Sequence, residues 1–174
     1  MKEYKKASPM SRVDIRLMAR NLRKLLDIED QRKINVLWLI EYVLALFDSE
    51  FEEPYIVPDQ ELDVDAVACP SEHTIIIKKS VYEGARKGNG RDRFTIVHEF
   101  AHYILHDERT VSFARGGNKP MPYEDPEWQA DAFAGEFLIP HYQISGMSIK
   151  EIKDVYGVSY SAAKCHYNMK KDRA

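Results

Sequence analysis

Cysteine is scarce in this chain of 174 residues: Cys69 and Cys165 are the only two. That excludes a disulfide scaffold and a four-thiolate zinc site. A dominant charge of one sign is also lacking, since 25 Lys and Arg stand against 28 Asp and Glu for a net of -3. A globally basic nucleic-acid binder is thereby excluded, although a local patch is not. No long hydrophobic run occurs. The greasiest segment, Ile34 to Phe47, is interrupted by Glu41 and is too short to span a bilayer. The basic start, MKEYKKASPM, leads into no apolar stretch of the kind a secretory signal needs. These absences predict a cytoplasmic protein, off the membrane, with reduced cysteines.

Hydrophobic residues make up 44% and charged residues 30%. Disordered, collagen-like and low-complexity chains are therefore excluded. The length suits one domain with a helical appendage and is enough to bury a core. Charge is unevenly spread: residues 1–33 carry ten Lys/Arg against five Asp/Glu, while residues 34–67 carry nine acids and no Lys or Arg. Solvated helix faces and an acidic loop account for such blocks. An acidic surface that meets a basic partner is the alternative.

Helical spacing predicts a helix capped by Ser11 and running to about Asp27, through Ile15, Met18, Leu22 and Leu25. A second is expected from Gln31 to Phe47. Ala66–Cys69 and His73–Ile77 flank Pro70-Ser71-Glu72 and read as a hairpin. A short helix follows Ser80 and ends at Gly88, and a strongly periodic segment runs from Arg91 to His106. Residues 109–123, with Gly116-Gly117, Pro120 and Pro122, read as a long loop of the kind that serves as a lid or recognition element. Asp125-Pro126 opens another helix that Pro140 closes. Two short helices about Gly157 end the chain. Three units are expected: a helical region over 1–50, a core over 51–140 and a helix-turn-helix-like tail over 141–174 packed on that core.

Of the six histidines, His98, His102 and His106 are spaced four apart, and the first two frame His98-Glu99-x-x-His102. On a helix, residues four apart lie about 40° apart around the axis and about 6 Å along it. Two imidazoles so placed reach one zinc ion, with Glu99 beside the open coordination position. There a carboxylate can take a proton from water and later hand it to a leaving amine. Two ordinary helix-face histidines are the competing reading, and a third ligand decides between them. His106 lies about 12 Å along the helix from His98, too far for zinc bonds of about 2 Å. Its expected role is that of a helix-end side chain. A metzincin pattern would need glycine and histidine where Leu105 and Glu108 stand. Glu127-x-x-x-Asp131 is the better source: Glu127 supplies an oxygen ligand, leaving one position for water. Asp131, one turn later, can accept the other N–H of a ligating histidine, His98 above all. An oxyanion donor is expected from Tyr123, His141 or Tyr142, and the sequence does not choose among them. A peptide substrate would add as a strand to a sheet edge, for which Ile75 to Lys78 is the nearest candidate.

The stretch His98 to His106 resembles the signature of the ImmA/IrrE family of metallopeptidases. So does Glu127-Trp128-Gln129-Ala130-Asp131-Ala132-Phe133-Ala134 with Phe137-Leu138-Ile139-Pro140, and Ile152 to Ala163 is similar to that family's helical tail. The resemblance covers about Ala66 to Met169. It implies an α+β, zincin-like fold, mostly helical, with a small antiparallel sheet packed on the active-site helix. It further implies a zinc endopeptidase from bacteria, their phages or mobile elements. Such an enzyme cleaves or inactivates a helix-turn-helix (XRE-type) repressor, often encoded nearby, in a stress response or element transfer. By position, His98, His102 and Glu127 would hold one Zn2+ per chain, with Mn2+ an alternative occupant, and Glu99 would be the general base. Asp131 falls where the family usually has an acid or Asn.

Two other classes stay open. One is a non-catalytic zinc-binding interaction protein, such as a toxin–antitoxin partner, that sequesters its regulator. The other is DNA binding through residues 147–174, which carry six Lys/Arg against three Asp/Glu and a bend at Gly157. Direct DNA binding is the weaker of the two, because short helix pairs commonly just pack on a core.

Overall fold

The computed structural model describes residues 4–107, 110–114 and 120–171. In chain order the elements are β1 (Tyr4–Ala7), α1 (Arg12–Leu25), α2 (residues 36–47), β2 (Tyr55–Val57), β3 (Ala66–Cys69), β4 (Thr74–Lys78) and α3 (Lys79–Arg86). They continue with α4 (Gly90–Leu105), β5 (Val111–Ala114), α5 (Pro126–Leu138), α6 (Ile149–Tyr156) and α7 (Tyr160–Lys171). The fold is α+β, as the sequence predicts. Among the described residues no helix is long and apolar enough to cross a membrane.

Side-chain caps set the helix starts. Ser11 and Asp14 form a reciprocal capping box at α1, and Ser148 with Glu151 repeats it at α6. Asn89 accepts from the Arg91 and Asp92 amides at α4, and Asp125 caps α5 with Pro126 in its first turn. The structure departs from expectation at α2, which starts at Val36 rather than Gln31. Arg23, fully buried, donates to the carbonyls of Glu29 and Gln31 and, at 2.8 Å, to that of Phe137. Carbonyls taken by a guanidinium hold the 29–31 segment out of a helical ladder. Within α2, Leu39–Val43 forms a π turn. The wider turn brings Leu39, Ile40, Val43 and Leu44 all to the interior.

The three-stranded sheet has the order β2-β4-β3. β4 pairs antiparallel with β3 through the expected hairpin, and parallel with β2, so the sheet is mixed rather than purely antiparallel. The segment Ile75 to Lys78 is therefore a central strand and not an exposed edge; β3 is the edge beside α4. A second departure lies in the expected loop over 109–123. Val111–Ala114 pairs antiparallel with β1, and Pro122–Glu124 forms a 3-10 turn. Both β1 and β5 are four-residue strands. Their partners lie some hundred positions away, so local periodicity carries no sign of them. Residues 108, 109 and 115–119 of that segment lie outside the described residues.

One hydrophobic core runs from Ile15 to Ala163. α5 lies at its centre, between α1 and α4. Phe100 of α4 meets Phe133 and Phe137 of α5 at ring distances of 6.4 and 6.3 Å. On the other side of α5, the buried Glu136 takes Arg12 at 3.0 Å and Arg16 at 2.8 Å, which locks α1 in place. Gly90 allows the start of α4 to approach the α6–α7 turn, because a Cβ there would stand 2.4 Å from the Val158 backbone. Arg93 donates to the carbonyls of Gly157 and Tyr156. The Gly157 bend is thus engaged by α4.

Replacing Arg23 by Met leaves three backbone carbonyls without their donor. We expect a loss of about 3 kcal/mol by urea unfolding. Arg20→Met, at the exposed pair with Glu29, is expected to cost under about 1 kcal/mol.

Candidate metal centre

The periodic segment forms α4, with Ile96, Val97, Phe100 and Ala101 buried in the core. That orientation leaves Glu99 and His102 lining a cleft of about 970 Å³, with His98 one turn before His102 on the same helix. The cleft is walled by β3, the end of α4 and the start of α5, and Val111 of β5 joins its lining. The capped first turn of α5 brings Glu127 to the same place.

The ligand-type atoms converge. His98 Nε2 and His102 Nε2 are 3.0 Å apart, and each lies 3.3 Å from a Glu127 carboxylate oxygen. Ligands about 2 Å from a tetrahedral zinc ion stand roughly 3.3 Å from one another. Two imidazole nitrogens and a carboxylate oxygen at such spacing fit that ion. Asp131 Oδ1 lies 2.8 Å from His98 Nδ1, which turns the ring's other nitrogen toward His102 and Glu127. Burial opposes charge on His98, but hydrogen bonds to Asp131 and Glu127 outweigh it and raise its pKa to about 9. Hydrogen bonds from His102 and His98 hold the Glu127 carboxyl far below its usual range.

Glu99 is oriented by the sheet. The Ala68 amide donates to Glu99 Oε2 at 2.8 Å. Burial pushes the Glu99 carboxyl up, against the positive charge of the two histidines and the Ala68 hydrogen bond. A carboxylate raised in this way is better matched to proton transfer near neutrality.

His106 is the C-cap of α4, the helix-end position expected for it. It also does something the spacing does not reveal: its Nδ1 lies 2.9 Å from His102 Nδ1, and its Nε2 lies 2.9 Å from Gln129 Oε1. Gln129, fully buried, went unnoticed in the sequence. The available signal was a lone polar amide among Trp128, Ala130, Ala132 and Phe133.

The three expected oxyanion donors have the following surroundings. The Tyr142 hydroxyl donates to the Glu29 carbonyl at 3.1 Å, and the Arg20 guanidinium covers its ring. His141 lies in the turn after α5, where its carbonyl accepts from Lys170. The Tyr123 carbonyl accepts from Met10 and Gln129 in the turn before α5. None of the three is among the described residues that line the cleft.

A second group, Asp48, Glu50 and His73, also gathers ligand-type atoms within 4.8 Å. Here His73 lies between the carboxylates, at 2.7 Å from Asp48 and 2.9 Å from Glu50, and Tyr103 donates to Asp48. The hydrogen bonds from Tyr103 and His73 pull the Asp48 carboxyl down to about 2. These contacts tie the segment after α2 to the hairpin turn and to α4.

Because His98 in the metal-free chain is charged below a pKa of about 9, zinc must displace a proton from it. Calorimetry in buffers of different ionisation enthalpy should find about one proton released at pH about 7.5. The release should fade as pH rises past about 9, where His98 is already neutral. A pH-independent release would contradict this account.

Residues 58–166 match the IrrE N-terminal-like domain of the peptidase M78 family. No curated protein matches the chain. Among solved structures, a Mycobacterium tuberculosis transcriptional regulator shares the fold, with a TM-score of 0.55 and 15% sequence identity. The match covers 89% of this chain and 46% of that one, so the chain spans about half the length of that structure. The matched region makes up more than half of the chain and contains α4, α5 and the ligand-type residues they carry, so the chain belongs to the peptidase M78 family.

Proposed function

We propose that this chain is a zinc-dependent endopeptidase whose substrate is a helix-turn-helix transcriptional repressor. The observation that carries the reading is the convergence of His98, His102 and Glu127 beside the oriented carboxylate of Glu99. A zinc ion held by those three residues would supply Lewis acidity toward water and the scissile carbonyl. Glu99 takes the proton of the attacking water at the oxygen not engaged by Ala68 and passes it to the leaving amine. Asp131 keeps the His98 ring in its orientation throughout.

Substrate would lie along β3. Lys78 N–H donates to the Asp65 carbonyl, so residues 65 and 67 face β4 while Ala66 and Ala68 turn their backbone groups outward. One outward amide, that of Ala68, is committed to Glu99. The remaining groups offer a peptide strand its backbone partners. Asp65, Glu99, Asp107 and Glu127 line the cleft against Lys5; with a zinc ion bound the lining would keep a net charge of about -1, compatible with a basic segment such as a DNA-binding repressor carries. The fold shared with a transcriptional regulator is compatible with a setting in gene control, and the family resemblance implies a bacterial stress response, prophage or mobile element as that setting.

Glu99→Gln keeps the ligands and removes the proton acceptor. Cleavage of a co-expressed repressor encoded beside the gene should fall roughly a hundred- to ten-thousand-fold while zinc stays bound. Relief of repression by this variant with the repressor intact would instead mark a zinc-binding protein that sequesters its regulator.

A further inference from the structure

The proposed zinc site needs the His102 Nε2 lone pair, and therefore needs the ring hydrogen on Nδ1. We infer that Gln129 and His106 are positioning residues that impose this tautomer through a directed chain of hydrogen bonds running from the amino-terminal segment to the metal ligand. The inference rests on the function proposed above and concerns how the chain's own residues prepare that site.

The chain begins at an amide whose orientation is fixed. One terminal atom of the Gln129 side chain lies 2.8 Å from the Ser8 carbonyl and 2.8 Å from the Tyr123 carbonyl. Carbonyl oxygens only accept, so that atom is the NH2 group, and Oε1 is left facing His106. Oε1 likewise only accepts. His106 Nε2, 2.9 Å away, must carry a hydrogen and donate it.

The facing Nδ1 atoms of His106 and His102, 2.9 Å apart, hold one hydrogen between them. If it sat on His106, that ring would be a cation, 9% exposed, with no carboxylate bonded to it among the described residues. An unpaired buried cation is costly. The hydrogen therefore sits on His102 Nδ1, and His106 Nδ1 accepts it. His102 Nε2 is then the atom turned to His98 Nε2 and Glu127; in the metal-free chain it donates to the Glu127 carboxylate, and a bound metal would take its lone pair instead. Ser8, where the sequence begins to contribute, lies outside the 58–166 family region. The short strand pairing of β1 with β5 holds it there, and the Ser8 amide also donates to the Thr110 carbonyl at 3.0 Å.

The test uses the full chain. Long-range 1H–15N spectra of the metal-free, 15N-labelled wild type read the hydrogen on each imidazole directly. The expected result is His102 with a hydrogen on Nδ1 and His106 with its hydrogen on Nε2. A His102 ring without a hydrogen on Nδ1 overturns the inference, and this readout does not depend on any variant folding. Zinc affinity by chelator competition is the second arm. His106→Leu should weaken binding about 10- to 100-fold, the usual cost of losing a ligand's outer partner. His106→Asn, whose amide oxygen takes the place of Nδ1, should restore most of the affinity. A purely structural role would shift the melting temperature in both variants and leave zinc affinity at the wild-type level, which would also overturn the inference. A wild-type chain with the expected tautomers that binds no zinc would overturn the proposed metal centre instead.

Discussion

The seam between α4 and α5 is the constraint on which the site depends. His98 and His102 come from one helix and Glu127 from the other, so their spacing is only as accurate as that packing. Phe100 is wedged against Phe133 and Phe137, whose own rings stack at 5.6 Å. Interiors this closely packed resist sliding, because any shift opens a void or forces an overlap. α5 cannot rotate to relieve such a clash. Its opposite face carries Glu136, held by two arginines of α1. The first helix thus contributes to the proposed metal centre through α5.

A similar division of labour places Glu99, the proposed base. Glu99 belongs to the helix that carries the histidines, yet a sheet strand aims it through the Ala68 amide. β3 can do this because it is the edge of its sheet, and its outward amide has no neighbouring strand to satisfy. The edge that orients the carboxylate is also the edge that offers backbone groups to a peptide. Base and substrate would therefore share one reference frame, which keeps their separation fixed.

Much of the helical layout was legible in the sequence. Ser11 and Asp125 announce their helices because a cap is a local contact, made within three residues. The spacing of His98, Glu99 and His102 is legible for the same reason, since a single helical turn relates them. The failures share a cause as well. α2 begins late because Arg23 takes carbonyls from the 29–31 segment, a contact no periodicity reports. β5 was read as loop because its partner, β1, is at the other end of the chain. The edge strand was assigned to 75–78 because alternation identifies a strand but not its neighbours.

By itself the sequence determined which side chains could meet a metal ion and that they would arrive on two helices. It also pointed away from cysteine and from His106 as ligands: two cysteines are too few for a thiolate site, and His106 lies too far along the helix. Only the tertiary structure decided the rest. It brought Glu127 within 3.3 Å of both histidines, gave Glu99 its partner on β3, and set Gln129 against His106. The physical reason is range: helix propensity, capping and turn-spaced pairs act over a few residues and are written along the chain. The distance between groups thirty or more positions apart is fixed by how buried surfaces interlock.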